Sequence, residues 1–176
     1  GGIPSPGKPI DQSKKSERII GNWMTKRGCR KEITICTKIS GGRGGAKAID
    51  EALTRSLDLL NTDHVEVYKM HSPDPNTPIT ETLGAMAEHV SLGHVDIIGC
   101  SNYSNVQMQE ALDASMEHNY PNFQVVQPPY NLVNKQDEKD LFPLCRREGI
   151  AITPHSPLGN GFLTGKYSPD RNNLPK

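Results

Sequence analysis

Five short apolar runs alternate along the chain with five stretches whose apolar residues recur at helical spacing. The apolar runs are rich in β-branched residues and end in turn residues, which is typical of buried strands. They cover residues 33–38, 65–71, 95–100, 123–127 and 150–155. Because strands begin about every 30 residues, the size of one βα unit, the pattern predicts a parallel sheet with right-handed helical crossovers.

The first helical stretch follows a loop predicted for residues 1–16, which is rich in Gly, Pro, Lys and Ser. This helix is predicted to begin near Ser16 and to stop at Gly28. Four apolar residues fall on one side of it: Ile19, Ile20, Trp23 and Met24. A second helix, predicted over residues 46–60, follows a glycine-rich loop.

The later helices carry clearer start signals. Pro78 suits the first position of a helix, where its missing N–H costs nothing. Ser104 and Gln107 have the spacing of a capping box, in which each side chain bonds the backbone of the other. The last helix is predicted over residues 137–148, with a kink at Pro143.

Polar residues end several successive strands, and this decides between two architectures. They are Lys38, His71, Ser101, Asn102, Gln127, His155 and Ser156. A (β/α)8 barrel collects such residues on one rim, whereas an open doubly wound sheet concentrates them at one switch point. The barrel is therefore favoured. Because a barrel needs about 250 residues and eight strands, we expect residues 1–176 to form one incomplete TIM barrel domain with about five parallel strands and helices outside.

Composition excludes several classes of partner. Lys plus Arg and Asp plus Glu both number 20, so no field of one sign favours nucleic acid or anionic lipid. No apolar run has the roughly 20 residues that span a bilayer, and no secretory signal is recognisable at the amino terminus. The four cysteines are far apart, without a C-x-x-C pair. We interpret them as reduced, mostly buried thiols of a cytoplasmic protein.

His71 is the first candidate for chemistry. It ends the run 65–71 and is followed at once by a turn that contains Pro73. Catalytic groups of parallel α/β proteins lie at the carboxyl ends of strands, although a histidine at such a position also occurs as a structural residue. Lys69 shares strand parity with His71 and is expected to point into the barrel interior, where a lysine is costly unless paired. The sequence offers no partner for it.

Seven motifs resemble the aldo-keto reductase family, in the branch that also contains the potassium-channel β-subunits. They run in the family's order along nearly the whole chain: SERIIGNWM, ITICTK, VEVYKMHSPD, VDIIGCSNYS, VVQPPYNL, PLCRREGI and ITPHSPLGNGFLTGKY. The resemblance implies a (β/α)8 barrel that uses NADPH to reduce a small aldehyde or ketone. It further implies that this chain holds strands three to seven of that barrel.

The resemblance also implies residue roles. Lys38 and His71 take the positions of the lysine and histidine of the catalytic tetrad. The remaining matched residues are implied to bind the cofactor: Ser101, Asn102 and Gln127 at the nicotinamide carboxamide, His155 where the family usually stacks a tyrosine on the ring, and Ser156 and Leu158 in the pyrophosphate loop. A carboxamide has one acceptor and one NH2 group, which a hydroxyl and two side-chain amides can match.

The family's tetrad aspartate and tyrosine have no match here. They belong to the second strand and the loop after it, and residues 1–16 contain no tyrosine. The eighth strand and the basic segment that grips the 2′-phosphate are also missing. The chain is therefore expected to be a fragment with little activity of its own and with open edges at its first and last strands. Its oligomeric state is not predicted.

Two other functions compete with the reductase. The first is a non-catalytic regulatory subunit, like the channel β-subunits, that keeps the cofactor pocket as a ligand site. The second is a metal-dependent hydrolase with His71 and His155 as ligands. No H-x-H or H-E-x-x-H pattern exists here, so no metal is predicted.

Overall fold

The computed structural model describes residues 15–167 and confirms five helices alternating with five parallel strands. The helices are α1 (Lys15–Arg27), α2 (Ala46–Leu60), α3 (Ile79–Ser91), α4 (Asn105–His118) and α5 (Leu141–Arg147). The strands are β1 (Cys36–Ile39), β2 (Val65–Met70), β3 (Val95–Ser101), β4 (Val125–Gln127) and β5 (Ala151–Ile152). Three short 3₁₀ segments cover Arg30–Glu32, Gln136–Glu138 and Gly159–Thr164.

The strands pair strictly in chain order, β1-β2-β3-β4-β5, and every pairing is parallel. Successive helices also contact one another in chain order. A doubly wound sheet reverses its strand order at a switch point, and no reversal occurs in the part of the chain that the structure describes. The architecture is therefore that of an incomplete (β/α)8 barrel, as predicted.

The two faces of the sheet differ in chemistry. On the helix-facing side, fully buried apolar residues follow one another across the strands: Ile39, Tyr68, Met70, Ile98, Cys100 and Val126. They pack with the apolar stripes of the helices, such as Leu53 of α2 and Met86 of α3. On the other face, Lys38, Lys69 and Gly99 stand in one register row. The sheet therefore has an apolar core on its helix-facing side and polar side chains on its inner face.

Strand β1 begins at Cys36, three residues later than predicted. Residues 33–35 belong to no helix or strand and follow a 3₁₀ turn at residues 30–32. Arg30 holds this segment, since its guanidinium bonds Glu66 at 2.9 Å and the carbonyl oxygens of Ile33 and His64. The amide of Ile35 donates to the Glu66 carboxylate at 2.6 Å. Residues 33–35 continue the apolar pattern of the strand, but hydrogen bonds to side chains replace part of the backbone pairing there.

Helix α1 buries a different face from the one that its apolar residues suggest. Gly21 and Met24 are buried, whereas Ile19 is 67 % exposed. A Cβ atom on Gly21 would lie 2.8 Å from the Cα of Leu60. The close approach of α1 to α2 at this glycine sets the buried face. The predicted loop over residues 1–16 lies outside the described residues except for its last two, which belong to α1.

The starts of α4 and α5 and the length of the last strand can be compared with their predictions. Ser104 and Gln107 form the predicted capping box at α4. The predicted kink at Pro143 is wrong, because Pro143 is the third residue of a short α5, where its missing N–H would have no helical acceptor. The strand predicted over residues 150–155 is reduced to Ala151–Ile152, with a separate bridge between Pro129 and His155.

The glycine-rich loop after β1 is fastened to its neighbours through Gly44. The Asp74 carboxylate accepts from the Gly44 amide at 2.9 Å, and the hydroxyl of Thr82 donates to the Gly44 carbonyl at 2.9 Å. Asp74 also accepts from Asn76 and Thr77. These bonds, first the one from Gly44, lower the pKa of Asp74. The loop beside Lys38 therefore depends on an ionised Asp74.

We expect the Asp74→Asn variant to be less stable than the parent at neutral pH, because an amide NH2 would face the donors of Gly44, Asn76 or Thr77. A lowered folded-state pKa means that this stabilisation is full above the ordinary value of 3.8 and is lost as pH falls through the lower folded value. The difference in urea midpoint should therefore shrink in acid. Asp96→Asn, at an exposed position of β3, is the control, and a pH-independent difference for Asp74→Asn would contradict the prediction.

Candidate functional site

Two lysine ammonium groups meet on the inner face of the sheet. Lys38 of β1 and Lys69 of β2 are register partners. Their Nζ atoms lie 3.3 Å and 3.4 Å from the same oxygen, Oε1 of Gln127 at the end of β4. Lys69 also donates to the hydroxyl of Thr153 at 3.0 Å. Side chains from β1, β2, β4 and the segment after β5 therefore converge at the rim.

His71 follows β2 directly and is exposed. It lies two residues beyond Lys69, so it shares the inner face with Lys69 and with the register partner Lys38. Lys38, His71 and Ser40 line one cavity of about 380 Å³. The structure therefore puts the two predicted tetrad residues beside a common space.

Ser101 and Asn102 join the strand ends to one another. The Ser101 hydroxyl donates to the backbone carbonyl of Gln127 at 2.7 Å. Asn102 has a left-handed backbone, with φ of 60°, and its Nδ2 donates to the carbonyl of His71 at 2.8 Å and to Ser101 Oγ at 3.2 Å. Asparagine tolerates this conformation better than most residues. Its side chain thereby connects β2 with β3 at the rim.

The segment after β5 brings a further predicted group to Asn102. His155 Nε2 lies 3.2 Å from Asn102 Oδ1, and His155 Nδ1 lies 2.9 Å from Ser156 Oγ. Since Asn102 Nδ2 donates elsewhere, Oδ1 is the acceptor, so His155 donates from Nε2 and accepts at Nδ1. Leu158 is not part of this network. It is 54 % exposed and precedes the 3₁₀ segment Gly159–Thr164.

The sequence left Lys69 without a partner, and it did not indicate Thr153 as a residue of the site. The stem of Lys69 passes over Gly99 of β3 on its way to β4, since a Cβ on Gly99 would lie 3.3 Å from Lys69 Cγ. A glycine in the middle of a strand often marks such a close approach. Gly99 is the register partner of Lys69. This glycine was the sequence feature that could have indicated the path of the lysine side chain.

None of the described tyrosines lines the cavity beside Lys38 and His71. Tyr68, on the neighbouring strand, points to the helix side, where burial raises the pKa of its phenol. Its hydroxyl oxygen has no hydrogen-bond partner among residues 15–167. Tyr68 is therefore not an acid for this site.

A larger cavity, of about 570 Å³, lies apart from these residues. It is formed by the loops before α4 and α5 and shares only Asn102 with the rim network. Within residues 15–167, no group of three or more His, Cys, Asp or Glu side chains is arranged to hold a metal ion. Among the described helices, none has the length and apolar character to cross a membrane. The cavity of about 380 Å³ beside Lys38 and His71 is otherwise lined by residues of α1, β1 and the end of α2, such as Glu17, Cys36 and Leu60.

Comparison with known proteins identifies relatives of the whole described region. The model of the Aldo/keto reductase family matches residues 12–176. "Protein tas" from Escherichia coli is 32 % identical over 193 residues, which covers 93 % of this chain and 56 % of that protein. A protein from Oryza sativa, named "Probable voltage-gated potassium channel subunit beta", is 35 % identical over 170 residues, covering 92 % and 51 %.

A solved structure shows the same architecture. The crystal structure of an aldo/keto reductase from Klebsiella pneumoniae in complex with NADP and acetate superposes with a TM-score of 0.76 at 28 % identity. The match covers 87 % of this chain and 52 % of that one. The chain thus spans about half the length of the relatives it matches.

Proposed function

We propose that this chain, which belongs to the aldo/keto reductase family, contributes the nicotinamide-binding and charge-stabilising side chains of an NADPH-dependent carbonyl reductase. The substrate is a small aldehyde or ketone. The observation that carries the proposal is the polar network at the rim. Lys38, His71, Asn102 and Gln127 come from four successive strand ends and are joined by hydrogen bonds, in which His71 takes part through its backbone carbonyl.

The hydrogen-bonding capacity left at the rim fits a nicotinamide carboxamide. Gln127 Oε1 is taken by the two ammonium groups, so its NH2 group faces away from them and remains available. Asn102 Oδ1 accepts from His155 and retains a second lone pair. One donor and one acceptor complement the oxygen and the NH2 group of a carboxamide. The residues present therefore fit the cofactor.

The inner-face cations suit the charge that develops during reduction. When NADPH is bound, the hydride comes from its reduced nicotinamide ring. As a carbonyl carbon accepts a hydride, negative charge develops on its oxygen, and hydrogen-bond donors stabilise that charge. Lys38 and His71 border one cavity. In our proposal both donate to that oxygen.

The alternative function is a regulatory subunit that binds the cofactor without turning it over. It is favoured by the similarity to the rice protein named as a channel subunit. The two functions share the cofactor site and differ only in turnover. NADPH oxidation with a panel of aldehydes and ketones, by the longest polypeptide that the gene encodes around this chain, separates them. Binding of NADPH without reduction of any carbonyl would favour the regulatory subunit.

We expect Gln127→Ala to weaken NADPH binding roughly tenfold, because one hydrogen bond to the carboxamide and the anchor of two ammonium groups are lost. Gln124→Ala is the matched control, since Gln124 precedes the same strand with an exposed side chain. Titration of NADPH fluorescence measures both variants on the same polypeptide. Equal affinity of the two variants, or no binding by the parent protein, would overturn the proposed function.

A further inference from the structure

The cationic pair on the inner face has neutral partners. Lys69 is only 3 % exposed, and its ammonium contacts the Gln127 amide oxygen and the Thr153 hydroxyl. Lys38 contacts the same amide oxygen. Within residues 15–167, no carboxylate lies in salt-bridge distance of either ammonium. Two positive charges are therefore held close together without a described counter-charge, an arrangement that costs free energy.

The fold provides a specific path for the second lysine. The stem of Lys69 crosses β3 at Gly99, where any Cβ would crowd both Lys69 Cγ and the Val125 side chain. Its Nζ thereby reaches Gln127 and Thr153, two and three strands away from its own. This path brings the Lys69 ammonium to the side-chain amide of Gln127, which the proposed function assigns to binding the nicotinamide carboxamide. A lysine that only filled space would not require it.

We infer that Lys69 makes the site select the reduced cofactor over the oxidised one. The inference rests on the proposed function. The nicotinamide ring is neutral in NADPH and carries one positive charge in NADP⁺, while the phosphate charges are the same in both. A second fixed ammonium beside the carboxamide site repels only the oxidised ring. Lys69 is thus a specificity-determining residue that favours NADPH entry and NADP⁺ release.

A purely structural role makes a different prediction. If Lys69 only tied the strand ends together, its removal would change the affinities for NADPH and NADP⁺ by the same factor. A charge effect changes their ratio. The ratio of the two dissociation constants is therefore the measurement, and it needs no turnover.

We expect the ratio Kd(NADP⁺)/Kd(NADPH) to fall at least about fivefold in Lys69→Met, which removes the charge and keeps a stem of similar length. Lys69→Arg should retain the parent ratio. Lys47→Met removes an exposed lysine of α2, whose side chain is 91 % exposed, and should also leave it unchanged. Isothermal titration at neutral pH measures both constants, and circular dichroism checks the fold. If the methionine variant does not fold, Lys69→Gln takes its place.

The outcomes separate the two proposals. If both cofactor forms bind and the ratio is the same in the parent and in the charge-removing variant, the inference about Lys69 is overturned and the proposed function stands. If neither form binds to the parent, the proposed function fails and the inference fails with it. A lower ratio in Lys69→Met with an unchanged ratio in Lys69→Arg supports the inference.

Discussion

Lys38→Met is expected to lower kcat for carbonyl reduction by about 10²- to 10⁴-fold, the range usual for the loss of a proton-transfer or charge-stabilising group. The methionine keeps the length of the side chain but cannot meet the charge on the carbonyl oxygen. Lys38 lies at the border of the cavity that also contains His71, and its ammonium touches no described carboxylate. Initial rates of NADPH oxidation, with the longest encoded polypeptide and saturating carbonyl, measure the effect.

The affinity for NADPH must be measured on the same variant, because Lys38 also holds Gln127. A catalytic role predicts a large fall in kcat with a small change in NADPH dissociation constant. Lys47→Met, at an exposed position of α2, is the control for charge removal alone. A Lys38→Met protein that keeps more than about a tenth of the parent kcat would contradict the catalytic assignment.

Gly99→Ala is expected to lower the free energy of unfolding by about 3 kcal/mol or more, at the upper end for overpacked positions. The added Cβ would lie 2.5 Å from Val125 Cγ1 and inside contact distance of the Val125 carbonyl oxygen. That oxygen belongs to the neighbouring strand, so it moves only if the ladder moves. Urea denaturation followed by circular dichroism measures the change.

Asp96→Ala is the matched control, because it also creates an alanine on β3 but at an exposed side chain. A Gly99→Ala variant as stable as Asp96→Ala would show that the sheet accommodates the methyl group. Because the same Cβ would press on Lys69 Cγ, the variant should also shift the Lys69 ammonium.

The sheet and the rim residues could be predicted because they depend on local patterns. β-branched runs of limited length, repeated at βα spacing, are sufficient to order the strands. Polar residues at the ends of those runs then fall at one edge, as Lys38 and Gln127 do. Strand parity alone also put Lys69 on the inner face, and the structure confirms its orientation.

The remaining features depend on contacts between segments that are distant in sequence. The late start of β1 follows from Arg30 and Glu66, whose pairing no local pattern reveals. The buried face of α1 follows from a close approach at Gly21, which is not an apolar residue. The partners of Lys69 lie on β4 and just after β5, beyond the neighbouring strand, so they required the register of the whole sheet.

The sequential order of the strands has a consequence for how the chain reaches its fold. Each strand from β2 to β5 pairs with the strand synthesised just before it, so each of these βα units meets an edge that already exists when it emerges from the ribosome. Loop closure then involves only one helix and its two connections at a time, which keeps its entropic cost small. Assembly during translation can therefore proceed unit by unit, without waiting for a distant partner segment.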